Sequence, residues 1–508
     1  MQDLQSRIRK IFQSANPSSP KGYALGIYQD GAKEFIFEGK ASIEHDVAID
    51  GKTKFHIASL TKHFVAEIFR YLERKGVVSE HDDLRKYFSE IDSNLQDVKI
   101  KHLLNHTSGL RDQWELTEYA GWRPQDVITN DDILQLLKRQ TVLNFHPESH
   151  YAYNNTGYTL LSIILEKVTG ETIQKLTTDY LFEQYGTVNT GYYSYKDSLD
   201  WMATPYVPKP SINGQYEISR PNFDVTGSTS MYSTIEDLIS IEETFYKTQV
   251  GLPSIERKEL LYHDGLMILE SNGLSVQMHS GWDYGYSAFL LRILSSKVSI
   301  VILSNYGVSN LFPYAMRVAA LIDGSLSKAT LIKHNLEGAK VSYPNPDTFE
   351  SGWFLNKPSN IIFEVDSENA LKIQGNNLFQ IDDKNFLIQD SLTQIESVSS
   401  TCFNYVSFGL SLQFTKLTRE QIAFSLKNYE GTYYSVELDA KYSVALEQGA
   451  LVLLGRKFVR YNLRQVTNEY FITPRFTLKF IVEEDRILGF ILSNQRMWNL
   501  SFQKLRTS

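Results

Sequence analysis

The chain has 508 residues, 42% hydrophobic and 22% charged, the balance of a folded globular protein. At about 150 residues per domain it should hold two to four domains, and no stretch approaches the roughly 18 unbroken apolar residues of a membrane-spanning helix. With 59 acidic and 51 basic residues the formal charge is −8, which argues against a nucleic-acid partner, and the single cysteine, Cys402, excludes an intramolecular disulfide and a multi-thiolate zinc site.

The amino end, MQDLQSRIRKIFQSANPSSPKG, carries basic residues with no apolar stretch behind them, so it does not read as a secretory signal. A cytoplasmic location is expected, or a periplasmic or secreted one if a signal has been trimmed. From Gly22 to Lys40 two alternating runs meet at Asp30-Gly31, a strong hairpin signal, and predict a sheet edge opening the first domain. From Leu60 to Lys75, Leu60, Phe64, Ile68 and Leu72 recur at four-residue spacing before Gly76, which predicts an amphipathic helix.

The region from about 80 to 260 reads as mostly helical, with helices over Asp131–Gln140, Thr156–Val168 and Glu171–Tyr185. Strand patterns return at Leu274–Met278, Ser287–Leu294 and Val298–Leu303. Strands at both ends of a helical middle predict one sheet built from the two ends, with an inserted helical lobe.

Beyond about residue 330 the pattern becomes all-β and repeats. Phe349-Glu350-Ser351-Gly352-Trp353-Phe354 resembles Tyr429-Glu430-Gly431-Thr432-Tyr433-Tyr434, and Phe414-Thr415-Lys416-Leu417 resembles Phe502-Gln503-Lys504-Leu505. Two successive antiparallel barrel-like modules are expected, because closure removes exposed sheet edges. The predicted domains are 1–330, 331–419 and 420–508, and the abundant Tyr and Phe suit half-buried sheet surface.

Ser-x-x-Lys occurs at Ser59 with Lys62, but also at Ser18, Ser325 and Ser501, so the bare pattern decides nothing. Ser59 alone follows a strand-like run, Phe55-His56-Ile57-Ala58, at the first turn of an amphipathic helix. There free N–H groups and the helix dipole favour a developing oxyanion, and a three-residue step puts Lys62 on the same face. A lysine can act as base only if burial or nearby positive charge lowers its pKa. From local pattern alone, Ser59 as a helix cap with a solvated Lys62 is the stronger reading.

The stretch Gly39–Phe64, GKASIEHDVAIDGKTKFHIASLTKHF, resembles the entry to the active site of the penicillin-recognising serine hydrolases, the group of class C β-lactamases, DD-peptidases, D-aminopeptidases and related esterases. Further stretches follow in that family's order: HLLNHTSGL at His102–Leu110, YAYNNTGY with Tyr153 and Asn155, GSTSMYSTIEDL at Gly227–Leu238, and His279-Ser280-Gly281. The resemblance implies an α/β β-lactamase-like fold, an antiparallel sheet flanked by helices plus a helical lobe, with the site between. It implies Ser59 as acylated nucleophile, Lys62 and Tyr153 sharing proton transfer, and Asn155 positioning substrate and the Lys62 amine. The oxyanion hole would be the N–H groups of Ser59 and Trp282.

Tyr153 can relay a proton if neighbouring lysine charge depresses its pKa; read alone, it is a loop tyrosine packing by its ring. His279 departs from the lysine of many β-lactamases and DD-peptidases, which weakens a carboxylate anchor there. It resembles the D-aminopeptidase branch and several esterase-like relatives; the D-aminopeptidase type similarly carries two β modules, and a loop from that tail reaches the cleft. Protonation of His279 should then alter affinity for anions between about pH 5 and 8, unless it is a strand histidine satisfied by a backbone partner.

Rival motifs fail: Pro147 spoils a helical zinc face for His146 and His150, and Gly285-Tyr286-Ser287-Ala288 lacks the closing glycine of a nucleophile elbow. No metal and no cofactor are expected. The expected function is a metal-independent serine hydrolase, most simply an aminopeptidase or amidase on small D-amino-acid amides or peptides. The alternatives are a broad esterase or weak β-lactamase, or a β-lactam-binding sensor without turnover. The expected partner is a small-molecule or short-peptide substrate, with a homodimer left open.

Overall fold

The computed structural model describes residues 2–506 apart from 14–21, 124, 210–214, 221, 249–260, 272–273, 308–309, 324–344, 346–347, 368–370, 382, 389–392, 409, 419–423, 457–458 and 485. A seven-stranded antiparallel sheet organises the first part of the chain. Its strands are β1 (Tyr23–Gln29), β2 (Ala32–Glu38), β3 (Leu261–His263), β4 (Leu266–Ser271), β5 (Leu274–Asp283), β6 (Tyr286–Ile293) and β7 (Val298–Ser304), in spatial order β3-β4-β5-β6-β7-β1-β2. The two ends therefore do build one sheet, β1 pairing with β7 from Tyr23↔Ser304 to Gln29↔Val298.

The predicted hairpin is β1–β2, and Asp30 and Gly31 both take positive φ, 45° and 94°, as its two-residue turn requires. Of these two strands only β2 is an edge, because β7 covers the other side of β1. Both faces of the sheet are covered. Leu25 and Ile27 of β1 pack with α1 (Gln2–Phe12) and α5 (Phe312–Ile322), while Ala24 and Tyr28 join α2 (Thr61–Arg74), α3 (Asn155–Thr169) and α4 (Ile235–Thr248). Accordingly β6 and β7 are buried at every position instead of alternating. At Gly26 a Cβ would lie 2.4 Å from Ile239 of α4, so glycine lets that helix press onto the strand.

α1 stands where the sequence reading assigns no element; Ile8 and Phe12 form its buried stripe against α5. The helix expected over Glu171–Tyr185 is broken into Ile173–Thr177, a π turn at Thr178–Phe182 and Glu183–Tyr185. Thr177 and Thr178 donate their hydroxyls back to the carbonyls of Ile173 and Gln174, a local bonding that bends helices. Among the described residues no helix is long and apolar enough to cross a membrane.

The tail forms two closed barrels of eight antiparallel strands, running from Gly352–Asn356 to Leu410–Lys416 and from Gly431–Ser435 to Met497–Lys504. They close alike, Phe354 opposite Lys416 and Tyr433 opposite Lys504. This shifts the motif alignment by one residue, so that Gly352 corresponds to Gly431 and not to Thr432. The reason is conformational: Gly352 and Gly431 take φ of 143° and 152°, a backbone region that residues with a Cβ rarely adopt. The boundaries expected at 330/331 and 419/420 lie outside the described residues.

The second barrel docks on the lobe. Buried Arg111 donates to the carbonyl of Val142 (2.7 Å), to Glu437 (3.0 Å) and to the carbonyl of Trp498 (3.0 Å), while Leu116, Tyr119 and Leu136 enter the barrel's own core.

Candidate active site

Ser59 sits between the strand Phe55–His56 and α2, in a single 3₁₀ turn, Ala58–Leu60. The chain reverses at Ala58, whose φ of 49° is unusual for a residue with a Cβ. The Ala58 N–H donates to Nδ1 of buried His56 at 3.2 Å and holds this turn. Ser59 thus occupies a first turn, where N–H groups have no intrahelical partner. At Gly281 of β5 a Cβ would lie 2.5 Å from the Ile57 carbonyl and 3.2 Å from the Ser59 nitrogen. Glycine therefore brings the β5 backbone, with Trp282 next in line, against the Ser59 turn.

Lys62 is fully buried, and its Nζ lies 3.0 Å from Ser59 Oγ, 2.8 Å from Asn155 Oδ1 and 2.7 Å from the Ser228 carbonyl. Burial pulls its pKa down to about 7; the Asp283 and Asp112 carboxylates resist this and the Arg496 guanidinium adds to it. Asn155 is oriented by Asp112, whose Oδ2 accepts its backbone N–H and its Nδ2, so that Oδ1 must face the lysine. Oδ1 and the Ser228 carbonyl only accept. A neutral Lys62 spends its two N–H groups on them and turns its lone pair to the Ser59 hydroxyl.

Tyr153 packs against two basic side chains: Lys62 Nζ is 5.0 Å and Arg496 Cζ 5.1 Å from its ring centroid. Its phenol oxygen is buried and makes no hydrogen bond in good geometry among the described residues, though it lies near enough to Ser59 to be influenced by it. Burial pushes its pKa well up, outweighing Ser59 and Arg496. The expected depression by lysine charge is thereby reversed: the group is a neutral phenol, able to donate a proton but not poised as a base. The HTSGL loop supports it, since His106 accepts the Asn154 N–H at 3.1 Å and packs its ring, tilted by 51°, against the Tyr153 ring at 4.4 Å.

His279 is 1% exposed, with Nε2 2.9 Å from Tyr262 Oη and Nδ1 2.6 Å from the Ser280 carbonyl. Burial pulls its pKa down to about 3, so the titration expected between pH 5 and 8 is not supported. Ser280 is exposed and Trp282 is 51% exposed, on the rim. A cleft of about 990 Å³ is lined by Ser59, Tyr153, Asn155, His279, Ser280 and Trp282, so the sequence-predicted residues converge, Gly281 and Lys62 lying just behind its wall.

Sequence reasoning missed four contributors. Asp112 lies just past the quoted HTSGL loop, and Asp283 directly follows Trp282. Asp283 accepts the Thr229 hydroxyl, and burial raises its pKa to about 7 against the pull of Thr229 and Lys62. Phe408 of the first barrel packs in a tilted contact on Tyr151 at 4.2 Å, and Arg496 of the second reaches Tyr153; both line the cleft. Neither barrel residue lies in a motif.

A helical lobe on an antiparallel sheet, with such a serine and lysine at their junction, is the architecture of the penicillin-recognising serine hydrolases. The chain belongs to the Beta-lactamase family, whose model matches residues 18–323. It is 26% identical over 292 residues to penicillin-binding protein 4* of Bacillus subtilis (53% of this chain, 64% of that protein) and 22% identical over 304 residues to a D-aminopeptidase of Gluconobacter oxydans (56% of each). It therefore spans less than two thirds of the length of either relative. The octameric penicillin-binding protein homologue of Pyrococcus abyssi shares the fold with a TM-score of 0.55 at 18% identity, over 90% of this chain and 99% of that one.

Proposed function

We propose that this chain is a serine hydrolase working through an acyl-enzyme on Ser59, with small D-amino-acid amides or peptides as substrates. The observation that carries the reading is the buried Lys62 amine, 3.0 Å from Ser59 Oγ and with its other two contacts to pure acceptors. Neutral Lys62 takes the Ser59 proton as Oγ attacks the substrate carbonyl. The oxyanion is received by the N–H groups of Ser59 and Trp282. The carbonyl re-forms as the C–N bond breaks, and the amine leaves with a proton supplied by protonated Lys62, directly or through the Tyr153 hydroxyl. Water then attacks the acyl carbon, giving a proton to Lys62, which returns it to Ser59 Oγ as the acyl C–O bond breaks and the acid leaves.

The D-amino-acid preference draws on the D-aminopeptidase likeness and on histidine at position 279. The test is Ser59→Ala assayed on paired D- and L-alanyl amides and a short acyl ester. Loss of all three activities in the variant, with D over L in the wild type, is expected. Full activity in Ser59→Ala overturns the assignment, and indifference to chirality overturns the substrate class.

A further inference from the structure

Three arginines line the cleft, and two are committed elsewhere: Arg123 pairs with Asp126 and Arg475 with Glu118. Arg496 differs. It comes from the turn joining the last two strands of the second barrel, Arg486–Asn494 and Met497–Lys504. That turn is pinned to the lobe: the Arg496 carbonyl accepts from the Asp112 N–H (3.3 Å) and Asn144 Nδ2 (3.1 Å), and Asn494 Oδ1 accepts the N–H groups of Arg496 and Met497. Its side chain is half-buried, with the guanidinium over the Tyr153 ring, and makes no hydrogen bond or ion pair to a described residue.

The neighbouring acids do not consume it. Asp112 is spent on Asn155 and the Trp114 N–H, Glu115 accepts Asn494 Nδ2, Glu118 is bridged to Arg475, and Asp283 accepts Thr229. Asp112 and Glu115 still favour the charged guanidinium at longer range. A positioned cation with unspent donors, open to the cleft beside the nucleophile, is built to take a planar anion in a bidentate grip. His279, buried and bonded to Tyr262, cannot do so.

We infer that Arg496 is the substrate-carboxylate anchor of this site, so that the preferred substrates carry a free carboxylate near the scissile bond and the second barrel completes the binding site. This rests on the hydrolase reading above and narrows its substrate class.

The test uses two matched pairs of thioesters, each a free carboxylate against its methyl ester. One is the N-acetyl-D-alanyl thioester of thioglycolate, with the charge on the leaving group; the other is a succinyl-D-alanyl thioester, with the charge on the acyl side. With each protein assayed on the alkaline plateau of its own pH profile, where Lys62 is neutral in both, kcat/KM of Arg496→Met for at least one carboxylate should fall about tenfold or more, mainly through KM, while its methyl ester changes by less than about threefold; Arg496→Lys should recover part of the loss. Equal falls within both pairs, or no fall in either, overturn the anchor while Ser59-dependent turnover of the neutral esters upholds the hydrolase. If wild type turns over none of the four, calorimetry with phenylboronic acid and 3-carboxyphenylboronic acid decides. Tighter binding of the carboxylated probe that is lost in Arg496→Met supports the anchor, equal binding overturns it, and no binding of either overturns the hydrolase reading and the anchor together.

Discussion

Asp112 Oδ2 accepts two hydrogen bonds from Asn155, the backbone N–H at 2.7 Å and Nδ2 at 2.8 Å, and so decides which end of that amide faces Lys62. Removing it frees Asn155 to rotate. Asp112→Ala should lower kcat/KM on any acyl substrate by about 10- to 100-fold, the worth of hydrogen bonds to a charged group. Steady-state kinetics alongside thermal melting checks this; a loss of activity no larger than that of a surface substitution refutes it.

The pH dependence follows from Lys62. As the base it must be neutral, and its pKa of about 7 means that protonation removes the active form below that pH. kcat/KM should therefore fall about tenfold per pH unit on the acid side. Asp283 opposes the lowering of the Lys62 pKa, so Asp283→Asn should move the acid limb to lower pH; Arg496 assists it, so Arg496→Met should move the limb up. Pre-equilibrium pH profiles of the three proteins give the order directly.

His279 should be silent in the same experiment. With its pKa held near 3 by burial it stays neutral from pH 5 to 8, and His279→Gln should preserve the shape of the profile with an anionic substrate even if its height changes. An inflection lost in the variant would show a charged imidazole.

Gly281→Ala places a methyl group 2.5 Å from the Ile57 carbonyl and 3.2 Å from the Ser59 nitrogen. Overpacking there should cost about 1–3 kcal/mol of stability, read by denaturant unfolding. Activity should fall further than stability does, because the strain lands on the turn that carries Ser59.

Stability in the core rests partly on Arg292, which is 1% exposed and forks onto Glu242 at 2.7 and 2.8 Å while lying 4.1 Å over the Phe245 ring. Arg292→Met strands the Glu242 carboxylate, which also holds Ser299, and should destabilise by about 3–5 kcal/mol. Denaturant unfolding midpoints measure it.

Much of this molecule is written in local pattern. The four-residue apolar spacing of α2, the Asp30-Gly31 turn and the returning strands before Ser304 each specify an element by periodicity or φ preference. Ser59, Lys62, Tyr153 and Asn155 are legible because their motifs come in a fixed order along the chain. The environment of those residues is not legible in the same way. Whether Tyr153 is acidified or His279 titrates depends on burial by Tyr262 and the lobe, which no spacing encodes. Arg496 lies still further from view: its turn carries no motif, and only docking of the second barrel through Arg111 brings it beside Tyr153. The π turn at Thr178–Phe182 escapes because hydroxyl back-bonding competes with a helix pattern that is otherwise sound.

The turn bearing Arg496 is also held by its own asparagine and by main-chain contacts to the lobe, none of which uses the guanidinium. Its side chain can therefore change while its scaffold stays in place. A new preference can be written in one barrel turn without rebuilding the sheet or the Ser59 turn, and the same change resets the pH at which Lys62 becomes neutral.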